Sequence, residues 1–529
     1  MSAPLVFSTP MFKDWVPEGI RPWIYVVCIF CVQFSGGVYL GSLEAIQGTT
    51  NFMIEDLVML LYANLAGMAI YFPMLFRMKF RFTNQQLLIG SAIIIALCNL
   101  ITMRCTFLPL LWVVCFVGGM AKLQATFEHV SNIQLWFAPN RDFSIFFPIL
   151  HIFLLTSIEG SGFLAAWFAH HYNWQMMHIF TVGTMCFIVL VQLVCCRPFC
   201  PMPQRLPLRG IDYPSALLIS LLMLMCSYIM VYGDYNMWMS SQSLRYVLGA
   251  AFILGAYLLY RLSHVEHPYI DLHILMERNV VPIIVVVIAG ELLLGAEHTL
   301  EEILFSEVYG LEELTKEELF LWCLPGVYVG VLICLLWLKV MKWQIWKLFG
   351  LNFALIFVYA LTMYTHIDVL TNIEQYRIGI MFRGCAACIL GASLMWSLHC
   401  SIHSLEGFFM GLSCFNIFHM YMAGAVGYGI YTTLFSHFLS DDISRYGTAL
   451  SLTSIDVRSF DFGSFMENRY LHEMMAVSIK QIYGIILWAS AGLSFLFFCL
   501  DIPSLRRRAR KIPYWPVYGI EYLSRLSRR

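Results

Sequence analysis

Charge is what this sequence has least of. Only 12% of its 529 residues are Asp, Glu, Lys or Arg, about half of the roughly 25% usual in a water-soluble globular chain. A surface that poor in charge cannot be kept hydrated over several soluble domains, although the length alone would suggest them. Nucleotide-cradling GxxxxGK[ST] is absent, which argues against ATP-driven chemistry. There is no HExxH, no nucleophile elbow and no nucleic-acid signature, so neither an enzyme nor a nucleic-acid partner is expected, and no cofactor is called for. A cleavable leader is not apparent either: the first apolar run is too long and lacks a small-residue cleavage site, so it is expected to stay as a spanning segment. Seventeen cysteines are present, but most lie inside apolar runs, where cysteine packs as a small hydrophobe. The pairs CIFC (28–31) and CAAC (385–388) are therefore read as packing rather than redox sites.

What is there is hydrophobic length. Sixty per cent of the chain is apolar and the mean hydropathy is +0.72. Runs of about 20 apolar residues, each long enough to cross roughly 30 Å of hydrocarbon, recur from end to end. The pattern predicts an all-α membrane protein with fourteen spanning helices, near 22–46, 55–76, 86–105, 108–136, 143–169, 174–196, 214–233, 243–263, 279–298, 319–341, 346–364, 376–400, 406–436 and 474–500. An even number leaves both termini on one side. Arg77, Lys79, Arg81, Arg141, Arg197, Arg205, Arg209, Lys339, Lys342, Lys347 and the tail SLRRRARK all fall there, with most of the 32 Lys and Arg. The excess of positive charge predicts that this side is cytoplasmic, with the acidic stretch EEILFSEVYGLEELTKEE (301–318) outside. Four parts follow: a six-helix bundle at 1–196, a hinge with two extra helices at 197–278, a second six-helix bundle at 279–505 with an external loop at 437–472, and a basic tail at 506–529.

Charges inside spanning helices are costly, about 2.5–3.5 kcal/mol at mid-bilayer on insertion scales, and so mark candidate sites. In the stretch SGGVYLGSLEAIQG, Gln33, Gly37, Gly41, Glu44 and Gln47 recur at helical spacing and predict a small, polar face on the first helix. Glu44 on that face is expected to take up and release protons near neutral pH. Glu159 lies deep in the fifth helix and is a second candidate for proton or substrate. Lys122 and His129 share a face of the fourth helix, with Glu128 to the side; Lys122 needs a cavity or an acidic partner on the first or fifth helix. In the second half, Glu291 and Arg383 are expected to line the cleft. His399, His403 and Glu406 have metal-like spacing at i, i+4 and i+7, but no further ligand is evident, so no metal site is assigned.

The order of these pieces is similar to the fourteen-helix drug/proton antiporters of the major facilitator superfamily. Leu43-Glu44 occupies the place of that family's helix 1 acidic motif, and APNRD with Arg141 that of its P-x-x-R turn. The segment SGFLAAWFAHHYNWQMMHIF (161–180), led by Ser161 and Gly162, resembles its antiporter motif. GIDYPSALL with Asp212 looks like the start of the extra helices, HPYIDLHILMERN (267–279) their exit, and LHEMMAVSIKQIYG (471–484) the entry to the last helix. The loop FPMLFRMKFRFTNQQ keeps the family's basic residues, Arg77 and Lys79, without its glycines and aspartate, and Cys115 stands where arginine is usual. The resemblance implies a proton-coupled secondary transporter in an inner membrane, with gating residues at these motifs. It would export apolar or amphiphilic small molecules by alternating access, with a periplasmic adaptor and an outer-membrane channel as partners, and Glu44→Gln would abolish export. Import of a small solute on the same fold, or a non-transporting scaffold or sensor, are the alternatives.

Overall fold

The computed structural model describes residues 12–36, 38–138, 142–200, 208, 211–265, 268–275, 280–368, 372–401, 405–452 and 462–499. Arg141, most of the Pro-rich hinge and the basic tail lie outside the described residues. Among those described, no β structure forms beyond an isolated bridge between Phe12 and Cys196.

The first bundle begins with α1 (Arg21–Gln33), the short α2 (Leu43–Thr49), α3 (Ile54–Tyr71) and the short α4 (Leu75–Lys79). It continues through α5 (Asn84–Thr102), α6 (Leu108–Phe137), α7 (Phe143–His171) and α8 (Gln175–Cys195). The extra pair is α9 (Tyr213–Tyr232) and α10 (Gln242–His264), followed by the single turn α11 (Leu272–Leu275). The second bundle holds α12 (Val281–Leu294), α13 (Glu313–Phe320), α14 (Cys323–Leu335) and α15 (Ile345–His366). It closes with α16 (Tyr376–Ser401), α17 (Leu405–Tyr421), α18 (Gly427–Leu452) and α19 (Phe462–Cys499). Twelve helical stretches among the described residues are long and apolar enough to cross a membrane, and the chain is a multi-pass membrane protein. Each of the fourteen predicted ranges contains helix, but the first is not one continuous span.

Local sequence explains where the helices start. Thr83 caps α5, its hydroxyl accepting from the Gln86 amide at 3.2 Å while the Gln86 side chain returns the bond, a reciprocal arrangement that satisfies two orphan amides. Asp142 and Asp212 cap α7 and α9 one way, their carboxylates accepting from the Ser144 and Ser215 amides. Packing within each bundle rests on small residues. A side chain on Gly119 of α6 would collide with the backbone of Asn64 on α3, and one on Gly326 of α14 with Met381 of α16; each glycine lets two backbones meet where no side chain fits.

Three predictions are corrected. The first helix stops after Gln33. Ser35 and Gly36 favour helix weakly, the Ser35 hydroxyl closes on the Val32 carbonyl at 2.5 Å, and the Gly36 amide donates to the Tyr39 hydroxyl at 3.0 Å. The polar stripe from Gln33 to Glu44 is therefore not one helix face. Second, the acidic segment is not an external loop: helix continues from α12 through two wide turns, Glu297–Glu301 and Leu304–Val308, and resumes as α13. Third, the loop expected at 437–472 is helical over 437–452 in α18 and 462–472 in α19, with 453–461 outside the described residues.

The two bundles, hereafter lobes, meet mainly along α7, which packs on α13, α14 and α16, and along α3, which packs on α17. The extra pair attaches through α9 to α3, while α10 packs chiefly on α9 and turns Tyr246, Phe252, Ile253 and Tyr260 outward.

Candidate functional site between the lobes

Along α7, the first lobe presents a ladder of polar groups to the second. At one end, Asp142 pairs with Lys339, and the rings of Phe143 and His399 pack at a tilt with 4.6 Å between centroids. This is the face that carries Lys79, Lys339 and Lys347, the basic face. Partial burial pushes the Asp142 carboxyl up, but hydrogen bonds from Lys339 and Ser144 outweigh that and hold it below its ordinary value.

Two turns further in, His151 is buried, its Nδ1 on the Phe147 carbonyl at 2.8 Å. Its ring tip lies against Gly391 of α16, where any Cβ would collide with it. Nearby, Glu291 of α12 is paired with His419 of α17.

Glu159 comes next. Its carboxylate accepts from Arg383 Nη2 at 3.1 Å, across the lobe boundary. The same guanidinium is bound by Glu301, whose other oxygen accepts from the Tyr359 hydroxyl at 2.5 Å; Tyr359 in turn lies 3.1 Å from the Tyr483 hydroxyl. Exposure falls inward, from 16% at Glu159 to 3% at Arg383 and 0% at Glu301. One buried cation is thus shared by two carboxylates from opposite lobes. Desolvating three charges is expensive unless they are paired and hydrogen-bonded, and the two tyrosines extend that pairing.

The ladder ends at the acidic face, where α13 is wedged against α7 and the turn before α2. Fully buried Lys316 pairs with Glu302 and lies 3.9 Å from Glu44. The Glu44 amide donates to Glu313 Oε1 at 2.8 Å, and exposed His170 and Glu312 meet at 2.5 Å. Gly41 and Gly162 allow the fit: a Cβ on the first would strike the Gly162 carbonyl, and a Cβ on the second the Glu317 carboxylate.

The predicted residues separate accordingly. Glu159, Arg383, Glu44 and Gly162 are brought to the lobe boundary. Ser161 only caps back onto Ile158 at 2.9 Å. Glu44 is not the deep carboxylate expected of it, because the break in the first helix leaves its side chain 46% exposed at the acidic face. Glu128 does not pair with Lys122. It lies 3.3 Å from Lys79, which also bonds Ser131, so the basic loop after α3 is stitched to α6 within one lobe. Lys122 makes no ion pair among the described residues; Thr126, on its face of α6, accepts from Gln33 at 3.2 Å. His129 is buried on the Ala125 carbonyl at 2.7 Å. Asp212 caps α9 and holds Arg261 at 2.7 Å. Arg77 lies on α4, and the side chains of His403 and Glu406 are outside the described residues.

Sequence reasoning missed Glu301, Lys316, Glu317, Tyr359 and His419. A signal for the first was present. Leu300, Leu304, Phe305 and Val308, all buried, recur at amphipathic helical spacing through the acidic run.

No protein-family model and no curated protein matches the sequence. Solved structures do. A mutant of the nucleoside transporter NupG is 10% identical with a TM-score of 0.54, over 90% of this chain and 99% of that one. A mutant of the peptide transporter POT in complex with sulfate is 11% identical at 0.54, over 92% and 97%. A bacterial homologue of the human lysosomal transporter Spinster, inward-facing and unoccupied, is 10% identical at 0.51, over 91% and 98%. At such identities the likeness is one of fold.

Proposed function

Taking the major facilitator fold of this chain as the premise, we propose that it is a proton-coupled secondary transporter that moves a small molecule by rocking its two lobes about the α7 boundary. The observation that carries this reading is Arg383 held jointly by Glu159 and Glu301. With both carboxylates ionised the triad has one negative charge in excess, in surroundings where net charge is costly. A single proton on Glu159, the more accessible of the two, removes that excess. It also turns the cross-lobe ion pair into an ordinary hydrogen bond and leaves Arg383 balanced by Glu301 within its own lobe. The bond that joins the lobes is then the one a proton loosens, and its recovery on deprotonation resets the cycle.

Export of an apolar or amphiphilic compound is the direction we favour, resting on the antiporter-like motifs of the sequence; import is the alternative on the same fold. The excess of Lys and Arg supports a cytoplasmic basic face, and an inner membrane with an adaptor and outer-membrane channel belongs to the same proposal. The test uses purified protein in vesicles loaded with a pH-sensitive dye and challenged with nucleosides, peptides and amphiphilic dyes. Compound-dependent proton movement in the native protein, lost in Glu159→Gln while compound exchange persists, supports the reading. Proton movement unaltered by Glu159→Gln overturns the role of the triad, and none with any compound overturns coupling.

A further inference from the structure

Glu317 is a buried carboxylate that the cross-lobe triad does not use. It projects from α13 onto Gly162 of α7, so closely that a methyl there would collide with its Oε2, and the residue is only 5% exposed. Among the described residues it has neither a hydrogen bond nor an ion pair, although Lys316 adjoins it in sequence; that ammonium is directed to Glu302, Ser306 and Glu44. Besides its burial, Glu302, Glu159 and Glu313 are near enough to repel it, and against them stands only the partial attraction of Lys316.

Among the described side chains, the charged groups nearest α13 are these. From α7 come Glu159 and His170; from α2, Glu44; from the wide turns after α12, Glu301, Glu302 and Glu307; from α16, Arg383 and Arg377. The helix itself and the residue before it bring Glu312, Glu313, Lys316 and Glu318. Glu301 and Glu159 are satisfied by Arg383, Glu302 and Glu44 by Lys316, Glu312 by His170, Glu313 by the Glu44 amide, and Arg377 pairs with Glu374. Among the described residues no cation pairs with Glu317, and the nearest, Lys316, is directed to Glu302. An ionised carboxylate buried without donor or counter-charge is strongly disfavoured, whereas a protonated one packs as a small polar group.

We propose that Glu317 is a proton-binding site of the acidic-face gate: α13 seats between the lobes only with a proton on this carboxyl, taken from the water of that compartment as the gate closes and returned as it opens. This deepens the transport reading above and rests on it for its use, but its test needs no transported compound, so it can fail while transport stands. A single proton held by the seated form alone makes the ratio of open to seated gate rise tenfold per pH unit above the midpoint.

The experiment is hydrogen–deuterium exchange of the full-length protein in lipid nanodiscs between pH 5.5 and 8.5, corrected for intrinsic exchange rates. The α13 peptide is compared with an α5 peptide as a folding control. Native protein should lose α13 protection with rising pH, approaching tenfold per unit, with α5 unchanged. Glu317→Gln should hold α13 protected throughout. Gly162→Ala, which crowds the carboxyl without altering any charge, should lower α13 protection at every pH. The Glu317→Gln arm decides. Retention of the native pH dependence in that variant overturns the proposal, as does pH-independent protection in the native protein.

Discussion

Arg383 Nη2 lies 3.1 Å from Glu159 Oε1, joining α16 of one lobe to α7 of the other, while the same guanidinium binds Glu301 within its own lobe. The two carboxylates are therefore unequal. Losing Glu159 breaks a bond between lobes; losing Arg383 strands a charge inside one.

Arg383→Ala should destabilise the protein by about 3–5 kcal/mol, because Glu301 would be left buried without its counter-ion. Arg383→Met combined with Glu301→Gln should recover much of that loss by removing both charges together. Unfolding in detergent with increasing denaturant measures both. Equal destabilisation by the single and double variants would show that the charge pair is not the cause.

Glu159→Gln and Glu44→Gln should part company. Glu159 is central to the cross-lobe triad, so its substitution should remove the proton dependence of transport. Glu44 is half-exposed, and its closest bond to α13 is made by its backbone amide, which the substitution leaves in place. Proton movement in reconstituted vesicles should thus be nearly native in Glu44→Gln, the reverse of what its motif position implies.

Two glycines offer a packing test. Nothing lies within 4 Å of a Cβ built on Gly90 of α5, whereas one on Gly119 would overlap the Asn64 backbone. Gly90→Ala should stabilise by about 0.5–1 kcal/mol, through reduced freedom of the unfolded helix. Gly119→Ala should cost about 1–3 kcal/mol as α3 and α6 are forced apart. Midpoints of thermal unfolding rank the two.

The basic-face pair should show a modest acid dependence. The Asp142 carboxyl is held low in the folded protein. Its contribution is therefore complete above the unfolded value of about 3.9 and is lost as pH falls through the folded one. Both partners are partly solvated, so the effect should stay under about 1 kcal/mol and shrink with salt. Asp142→Asn should lower stability at neutral pH by up to that amount and leave the most acid end nearly unchanged, so that the acid limb flattens. Exchange of the two charges, Asp142→Lys with Lys339→Asp, should bring the acid limb back.

Hydrophobic length, a local property, determined by itself that the chain is helical and spans a membrane many times, which follows from transfer free energy summed over about 20 residues; the distribution of Lys and Arg between the spans gave it a basic and an acidic face. Glu159 and Arg383 were also legible, because an isolated charge in an apolar run has to be accounted for wherever it ends up. Pairing was not legible. Glu301 and Lys316 sit in a run acidic enough to read as a solvated loop, and only the approach of Arg383, Tyr359 and Glu302 makes their burial tolerable. Glu44 shows the converse: helical spacing placed it on a continuous polar face, and the break at Ser35–Gly36, pinned by Tyr39, moved it to the rim. Which charges are buried together is decided by segments from 14 to 224 residues apart in the chain, and the energy of a buried charge depends on the partner it meets rather than on its neighbours in the chain.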